Sequence, residues 1–126
     1  MKTFALISCS SAKRDTQCAA KLMYDRSPLF CRAWRYCEGR ELAALILSAK
    51  YGLLSPDAMI EPYDQSLKDM SITEQREWAE RVSEQLQDKI PHGSTVEIHA
   101  GVSYTRFLDL TGFKTVWPVA RLKIGE

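Results

Sequence analysis

The sequence predicts a single α/β domain of about four mostly parallel strands with helices on both faces. Short, nearly continuous apolar runs, typical of strands buried on both sides, alternate with segments whose apolar residues recur at helical spacing. Strands separated by helices imply right-handed crossovers and therefore a mostly parallel sheet. The 126 residues, 45% of them apolar, supply enough core for one domain spanning 1–126, with no room for a second.

Two long helices and four strands are predicted. The strands are residues 3–8, 42–48, 94–99 and 114–119. One helix follows the N-cap and first-turn proline at 27–28 and ends at Gly39. The other, over about 72–90, opens with a capping box from Ser71 to Glu74.

The remaining segments carry weaker patterns. Residues 53–70 contain two prolines among scattered apolar residues and are predicted to be a structured loop, which at this length usually has a function. A short helix is predicted to hold Tyr104, Phe107 and Leu108. Two tryptophans at helical spacing are most simply core residues: Trp34 and Trp78.

Charge and targeting signals exclude some classes of protein. The net charge of +1 gives no reason to expect a long, non-specific nucleic-acid footprint. Residues 1–50 nevertheless hold nine basic and four acidic side chains, and residues 51–95 hold the reverse. The folded protein is then either strongly dipolar or interleaves the two halves. The apolar run at 3–8 is too short for a leader or a membrane span, so we expect a cytoplasmic protein that enters no membrane.

The four cysteines are predicted to be reduced thiols. They form no Cys-x-x-Cys pair, and their spacing matches no zinc site. They are Cys9, Cys18, Cys31 and Cys37. Cys31 and Cys37 lie on a predicted helix, where a buried thiol behaves as a small apolar side chain. No motif calls for a metal or an organic cofactor.

Three loops that follow predicted strands carry polar residues. They are Cys9 to Lys13, Ser48 to Leu53 and Ala100 to Tyr104. Ligands of parallel sheets bind at the carboxyl ends of the strands. We therefore expect one site at the edge where Cys9, Ser48 and Gly101 meet.

The first loop, Cys-Ser-Ser-Ala-Lys, offers the hydroxyls of Ser10 and Ser11, backbone N–H groups and the Lys13 ammonium. Together these suit a phosphate or the polar edge of a base. The loop lacks the glycines of a Walker motif. On the alternative interpretation the serines satisfy backbone groups and Lys13 is solvated. Cys9 is a candidate nucleophile if Lys13 lowers the pKa of its thiol.

The second loop, Ser-Ala-Lys-Tyr-Gly-Leu, places Lys50 directly after a strand that ends at Ser48. The stem of Lys50 can lie on the sheet edge while its ammonium reaches a site, although a lysine in a turn is often only surface. Tyr51 follows as a candidate contact. Gly52 permits either a turn or the close approach of a ligand.

A proline-shaped loop puts the phenol of Tyr63 beside the carboxylate of Asp64. Asp64 is predicted to orient water or stabilise developing positive charge, and Tyr63 to stack on a base. The alternative interpretation, which the sequence supports equally well, is that Asp64 caps a local turn and Tyr63 packs beneath the loop. A Ser-His-Asp triad is not expected, because neither His92 nor His99 has a convincing partner.

As an ordered set, these loops resemble a bacterial and phage domain family of unknown function. Its pattern runs Cys-x-x-x-Lys, Leu-Tyr-x-x-x-x-Phe, Leu-Ser-Ala-Lys-His/Tyr-Gly-Leu, Pro-Tyr-Asp-x-x-Leu and Ala-Gly-x-x-Tyr. The matching residues are Cys9 and Lys13, Met23-Tyr24 with Leu29-Phe30, Leu47 to Leu53, Pro62-Tyr63-Asp64 with Leu67, and Ala100-Gly101 with Tyr104.

That family is distantly similar to the YaaA-like peroxide-stress proteins and to a domain of archaeosine synthase. The resemblance implies a uracil-DNA-glycosylase-like α/β fold and work on nucleobases. Relatives commonly continue from an Ile-Gly turn into another helix, whereas this sequence ends at Ile124-Gly125-Glu126. We therefore expect a second copy or a partner protein to cover the C-terminal sheet face, which could complete the pocket.

The leading functional hypothesis is an enzyme that acts on the base or glycosidic bond of a nucleotide or nucleic acid. Lys13 and Lys50 would hold phosphate or a base oxygen, and Asp64 would serve the water or the oxocarbenium-like state. Tyr63 and Tyr104 would wall the base. The alternative is a non-catalytic module that binds a nucleotide or DNA in stress response or phage defence.

Overall fold

Seven strands build two sheets in the computed structural model, which describes residues 2–118. They are β1 (Thr3–Ser8), β2 (Cys18–Ala19), β3 (Ala43–Ser48), β4 (Gly52–Leu54), β5 (Met59–Ile60), β6 (Thr95–His99) and β7 (Lys114–Val116). The main sheet has the order β4-β3-β1-β6-β7, and β2 pairs with β5 in a separate antiparallel ribbon. Only β4 is antiparallel within the main sheet, which confirms the mostly parallel α/β prediction.

The two long helices begin where the sequence places their caps. The helices of the described chain are α1 (Ala20–Met23), α2 (Pro28–Gly39), α3 (Ile72–Lys89) and α4 (Val102–Thr105), with a 3₁₀ turn at Leu67–Asp69. The Ser27 side chain accepts from the N–H of Phe30, and Ser71 and Glu74 form the predicted capping box. Within the described residues, none of these helices has the length and apolar character needed to cross a membrane.

Helices α2 and α3 cover opposite faces of the main sheet. The β1 residues that pair with Glu97 and Leu45 are adjacent in sequence, so these two side chains lie on opposite faces. Arg40, directly after α2, donates to Glu97. Gln85 of α3 instead lines a groove with Leu45. The predicted coverage of both faces is therefore correct.

Several elements differ from the prediction. The segment predicted as a loop over 53–70 contains most of β4, all of β5 and the 3₁₀ turn, and the main sheet has five strands rather than about four. Strands of two or three residues are too short to show a periodic pattern. Phe107 and Leu108 follow α4 instead of lying in it. The predicted strand over 114–119 ends at Val116, and position 119 lies outside the described residues.

The buried core is centred on β1, β3, β6 and the inner side of α3. Trp78 is buried there, whereas Trp34 is partly buried and stacks on Phe30. All four cysteines are free thiols, and of these Cys9 and Cys37 are buried. Cys31 is only partly buried, and its sulfur donates to the carbonyl of Asp25.

Candidate functional site

The carboxyl ends of three parallel strands meet at one edge of the main sheet. Strand β1 lies between β3 and β6 and runs parallel to both. Cys9 follows β1, Ser48 ends β3, and Gly101 lies just beyond β6. The structure therefore brings the three polar loops to the same edge, as their position after parallel strands predicts.

A thiol and a phenol make direct contact at this edge. The sulfur of Cys9 lies 3.0 Å from the hydroxyl of Tyr104, and either group can donate. Cys9 is held by its backbone N–H, which donates to the Leu47 carbonyl. Burial, and then the proximity of the Cys9 sulfur, raise the pKa of Tyr104 well above its ordinary value. The Tyr104 hydroxyl is therefore protonated at neutral pH.

Tyr63 joins two further hydroxyls. Its oxygen lies 2.7 Å from that of Tyr24 and 2.8 Å from that of Ser48, while Ser48 accepts from the N–H of Tyr51. Burial raises the pKa of Tyr24 to about 12, with the Cys9 thiol adding to the shift. The same causes raise the pKa of Tyr63. We call Cys9, Tyr24, Ser48, Tyr63 and Tyr104 the thiol–phenol cluster.

Two residues at this edge are not among the site residues predicted from the sequence. Tyr24 is fully buried and reaches Tyr63 from the end of α1. Trp78 of α3 donates its indole N–H to the backbone carbonyl of Ser48 at 2.9 Å and packs edge-on against Tyr104. The match of Tyr24 to the family pattern is a sequence signal that could have placed it in the site. Trp78 gives no such signal, because its spacing is that of an ordinary apolar helix face.

Two lysines stand over two tyrosine rings beside the cluster. The Lys13 ammonium lies 4.5 Å from the ring centroid of Tyr63, and that of Lys50 lies 5.3 Å from the ring centroid of Tyr51. The two rings pack edge to face with centroids 5.7 Å apart. Among residues 2–118, no carboxylate lies within 4.0 Å of either ammonium.

This absence of pairing distinguishes the lysines from their neighbours. Arg14 pairs with Asp25, and Arg26 pairs with Asp15, so those guanidinium groups are already partly neutralised. Lys13 is partly buried and Lys50 is exposed. The two ammonium groups are therefore available to an anion at this edge.

Within residues 2–118, the hydrogen bonds of three predicted site residues stay in their own loop or in the helical turn that follows it. The hydroxyl of Ser10 donates to the carbonyl of Ala12 at 3.0 Å, while Ser11 is exposed. Gly101 is exposed at the start of α4, and a Cβ there would meet nothing within 4 Å. Bulk at Gly101 is therefore not excluded by the protein itself.

Gly52 serves a turn and a close helix contact. Its φ of +77° lies in the left-handed region that favours glycine. A Cβ there would stand 2.8 Å from the side-chain oxygen of Gln85 and 3.6 Å from Val82, both on α3. Of the two sequence-based interpretations, the turn is present, and the nearest neighbour of Gly52 is α3.

Asp64 is exposed and follows Tyr63 in the loop. Within the described part of the chain it makes no side-chain hydrogen bond and no ion pair. Its carboxylate is thus solvated and close in sequence to the cluster, but no protein group fixes its direction.

One sequence-based statement about the histidines is wrong. His99 lies 3.4 Å from one carboxylate oxygen of Glu97, and the other oxygen of that carboxylate accepts from Arg40 at 2.7 Å. Residues two apart on a strand share a face, which explains the contact. Burial lowers the pKa of His99, and Glu97 only partly opposes that effect. The pair lies on the face covered by α2.

The comparisons with known proteins assign a family. A family model described as a family of unknown function matches residues 4–126. The chain belongs to DUF6884. No curated protein and no solved structure matches it. The family assignment for this DUF6884 protein covers the whole candidate site.

The site combines three chemical resources: unpaired ammonium groups, protonated phenols and a buried thiol. In residues 2–118, no three His, Cys, Asp or Glu side chains come together as metal ligands would. Phenols with raised pKa values donate hydrogen bonds at neutral pH, and ammonium groups attract phosphate. The arrangement therefore suits an anionic ligand that also carries a flat, polar group.

Proposed function

We propose that this DUF6884 protein is an enzyme that acts on the base or glycosidic bond of a nucleotide or nucleic acid. The observation that carries the proposal is the pair of lysine–tyrosine stacks beside the thiol–phenol cluster. An ammonium with no carboxylate partner suits phosphate, and an adjacent tyrosine ring suits a base. The parallel sheet, with its polar edge at the strand ends, also supports a uracil-DNA-glycosylase-like fold.

Each group has a definite task in such a reaction. Lys13 and Lys50 hold phosphate or a base oxygen, and Tyr51 and Tyr63 contact the base. In hydrolysis the bond between sugar carbon and base nitrogen breaks, the base leaves with the electron pair and gains a proton, and water bonds to the sugar carbon. The exposed carboxylate of Asp64 orients that water or stabilises the oxocarbenium-like state.

Cys9 and Tyr104 belong to the floor of this site. Their contact joins the ends of β1 and α4, and it keeps a polarisable sulfur beside a protonated phenol. The Tyr104 hydroxyl can donate a hydrogen bond to the Cys9 sulfur. The Ser48 and Tyr63 hydroxyls supply further donors to a base edge.

A second candidate is a module that binds a nucleotide or DNA without turnover. One observation favours it: in the described residues, no group orients the carboxylate of Asp64. Carboxylates that act in catalysis are commonly positioned by neighbouring hydrogen bonds. The same lysine–tyrosine stacks serve this alternative equally well.

Turnover separates the two candidates. Purified protein is incubated with nucleotides and with single-stranded DNA and RNA carrying normal, damaged or modified bases, and free base is measured by chromatography. We expect base release that Asp64→Asn abolishes with little loss of binding, because the change removes charge and keeps shape. Asp69→Asn, in the 3₁₀ turn that follows, is the control. Binding without release on any substrate would support the module instead.

Binding tests the site itself. Lys50→Met retains most of the stem and removes the ammonium, so we expect weaker nucleotide binding with a shallower salt dependence and a stability change below about 0.5 kcal/mol. Lys114→Met is the matched control, because Lys114 is exposed at the start of β7, the opposite end of the sheet. Equal affinity and salt slope in the two variants would refute the site.

A further inference from the structure

Two arginines share one aromatic ring near the thiol–phenol cluster. The guanidinium carbon of Arg76, on α3, lies 4.4 Å from the ring centroid of Phe107, and that of Arg106 lies 4.8 Å from the same centroid. In the described chain no carboxylate lies within 4.0 Å of either guanidinium. Two like charges are thus held close to each other without a counter-ion.

A buried amide sets the direction of Arg106. The side-chain oxygen of Gln75 accepts from Arg106 at 2.7 Å, and Gln75 is only 4% exposed. The amide nitrogen of Gln75 donates to the carbonyls of Leu67 and Met70, at 3.0 and 3.1 Å. Because every polar atom of the amide is engaged, the Arg106 guanidinium is pre-oriented, and its remaining N–H groups are available.

The arginines lie on α3 and directly after α4, the two helices that carry Trp78 and Tyr104. Arg76 is two residues before Trp78, and Arg106 is two residues after Tyr104. Trp78 and Tyr104 pack edge to face inside the domain, while both arginines are exposed. Exposed positive charge therefore lies on the two segments whose buried side chains, Trp78 and Tyr104, reach the cluster, in addition to the charge on the loops that carry Lys13 and Lys50.

The surface beyond Phe107 is acidic. A groove of about 650 Å³ runs from Phe107 along α3, and its lining includes Glu80, Glu84, Asp88 and Asp109. A polyanion is attracted by the two arginines and repelled by this groove. The charge separation confines a long anionic ligand to the carboxyl edge of the sheet, and it explains how the acidic middle of the sequence can coexist with an anion site.

We propose that Arg76, Phe107 and Arg106 form a second anion-binding surface that holds the phosphodiester backbone of a single-stranded nucleic acid. The proposal rests on the proposed function, because the nucleotide in the Lys13 and Lys50 site is one unit of the same strand. Guanidinium groups pair with phosphate in a planar, bidentate geometry. A single strand fits because its bases are accessible to the cluster, whereas a duplex base must first leave its stack.

The experiment compares Arg76→Gln with Arg81→Gln. Arg81 is exposed on the same helix and takes part in none of these contacts. Each variant removes one positive charge, so a difference between them reports the position of the charge. Fluorescence anisotropy measures binding of a labelled mixed-sequence DNA 12-mer and of a labelled mononucleotide, over a range of salt concentrations. Arg106→Lys is a third variant that keeps a donor for Gln75.

We expect the wild-type protein to bind the oligonucleotide more than tenfold tighter than the mononucleotide. Arg76→Gln and Arg106→Lys should weaken oligonucleotide binding, and Arg76→Gln should reduce the slope of log K against log salt by about 0.7, the value for one phosphate contact on a single strand. Mononucleotide affinity should not change. Arg81→Gln should match the wild-type protein on both ligands.

Two results would overturn the second surface: an oligonucleotide that binds no tighter than a mononucleotide, or equal behaviour of the Arg76 and Arg81 variants. If base release from free nucleotides persists in either case, the proposed function stands and only the surface fails. If the Arg76 effect is present but no base is released, the surface stands and the enzymatic function fails. If the wild-type protein binds neither the oligonucleotide nor the mononucleotide, the second surface and the proposed function are both refuted.

Discussion

The hydrogen bonds of Tyr63 predict an unusual pattern of stabilities. Removing its hydroxyl with Tyr63→Phe leaves the hydroxyl of fully buried Tyr24 without its partner, whereas Ser48 still receives the Tyr51 N–H. An unsatisfied buried hydroxyl costs about 1 to 3 kcal/mol. Tyr24→Phe should cost less, about 1 kcal/mol, because Tyr63 keeps its bond to Ser48.

The double variant carries the test. With both hydroxyls gone, Tyr24 no longer has an orphaned group, so Tyr24→Phe together with Tyr63→Phe should cost no more than Tyr63→Phe alone. The free energy of unfolding of all four proteins, measured by urea denaturation at neutral pH, gives a coupling energy of about 1 kcal/mol or more between the two sites. Additive losses would show that the two hydroxyls do not interact and would refute the geometry of the cluster.

Two other predictions concern pH and a turn. Because the pKa of Tyr24 is raised to about 12 in the folded state, against 10.0 ordinarily, the unfolded chain loses this proton first as pH rises. The free energy of unfolding should therefore be unaffected by this group below pH 10, and it should fall by about 3 kcal/mol between pH 10 and 12. Denaturation curves measured across that range should show a smaller loss for Tyr24→Phe. Gly52→Ala should destabilise the protein by more than about 1 kcal/mol, since φ is +77° and the new Cβ would stand 2.8 Å from the Gln85 side chain. Gly39→Ala is the control, because a Cβ there would meet nothing within 4 Å, and it should be neutral or stabilising by up to about 1 kcal/mol. Equal melting temperatures for the two alanine variants would contradict this reasoning.

Local physics made some elements readable from the sequence. Strand β1 is a continuous apolar run, and α3 opens with a capping box whose two hydrogen bonds form between residues three apart. Such signals need only a few neighbouring residues. The parallel order of the strands then follows from general rules of chain connection, and it predicts Cys9, Ser48 and Gly101 at one edge.

Elements without a local signal could not be predicted. Strand β4 has three residues, and it exists because it pairs with the end of β3 rather than because of its own pattern. The contact between Phe107 and Arg76 could not be predicted either, because the ring meets the guanidinium only after α3 and α4 pack together. The two residues lie 31 positions apart, so their contact produces no recognisable pattern in the sequence of either segment.

The sequence alone determined the fold class, the two long helices, and the polar loops at the strand ends. Tertiary structure decided which of their side chains meet. Tyr24 and Tyr63 are 39 positions apart and Cys9 and Tyr104 are 95 apart, yet each pair is in hydrogen-bond contact. Hydrogen bonds and charge interactions depend on distances of a few ångströms, and those distances are fixed only when strands, helices and loops pack into one domain.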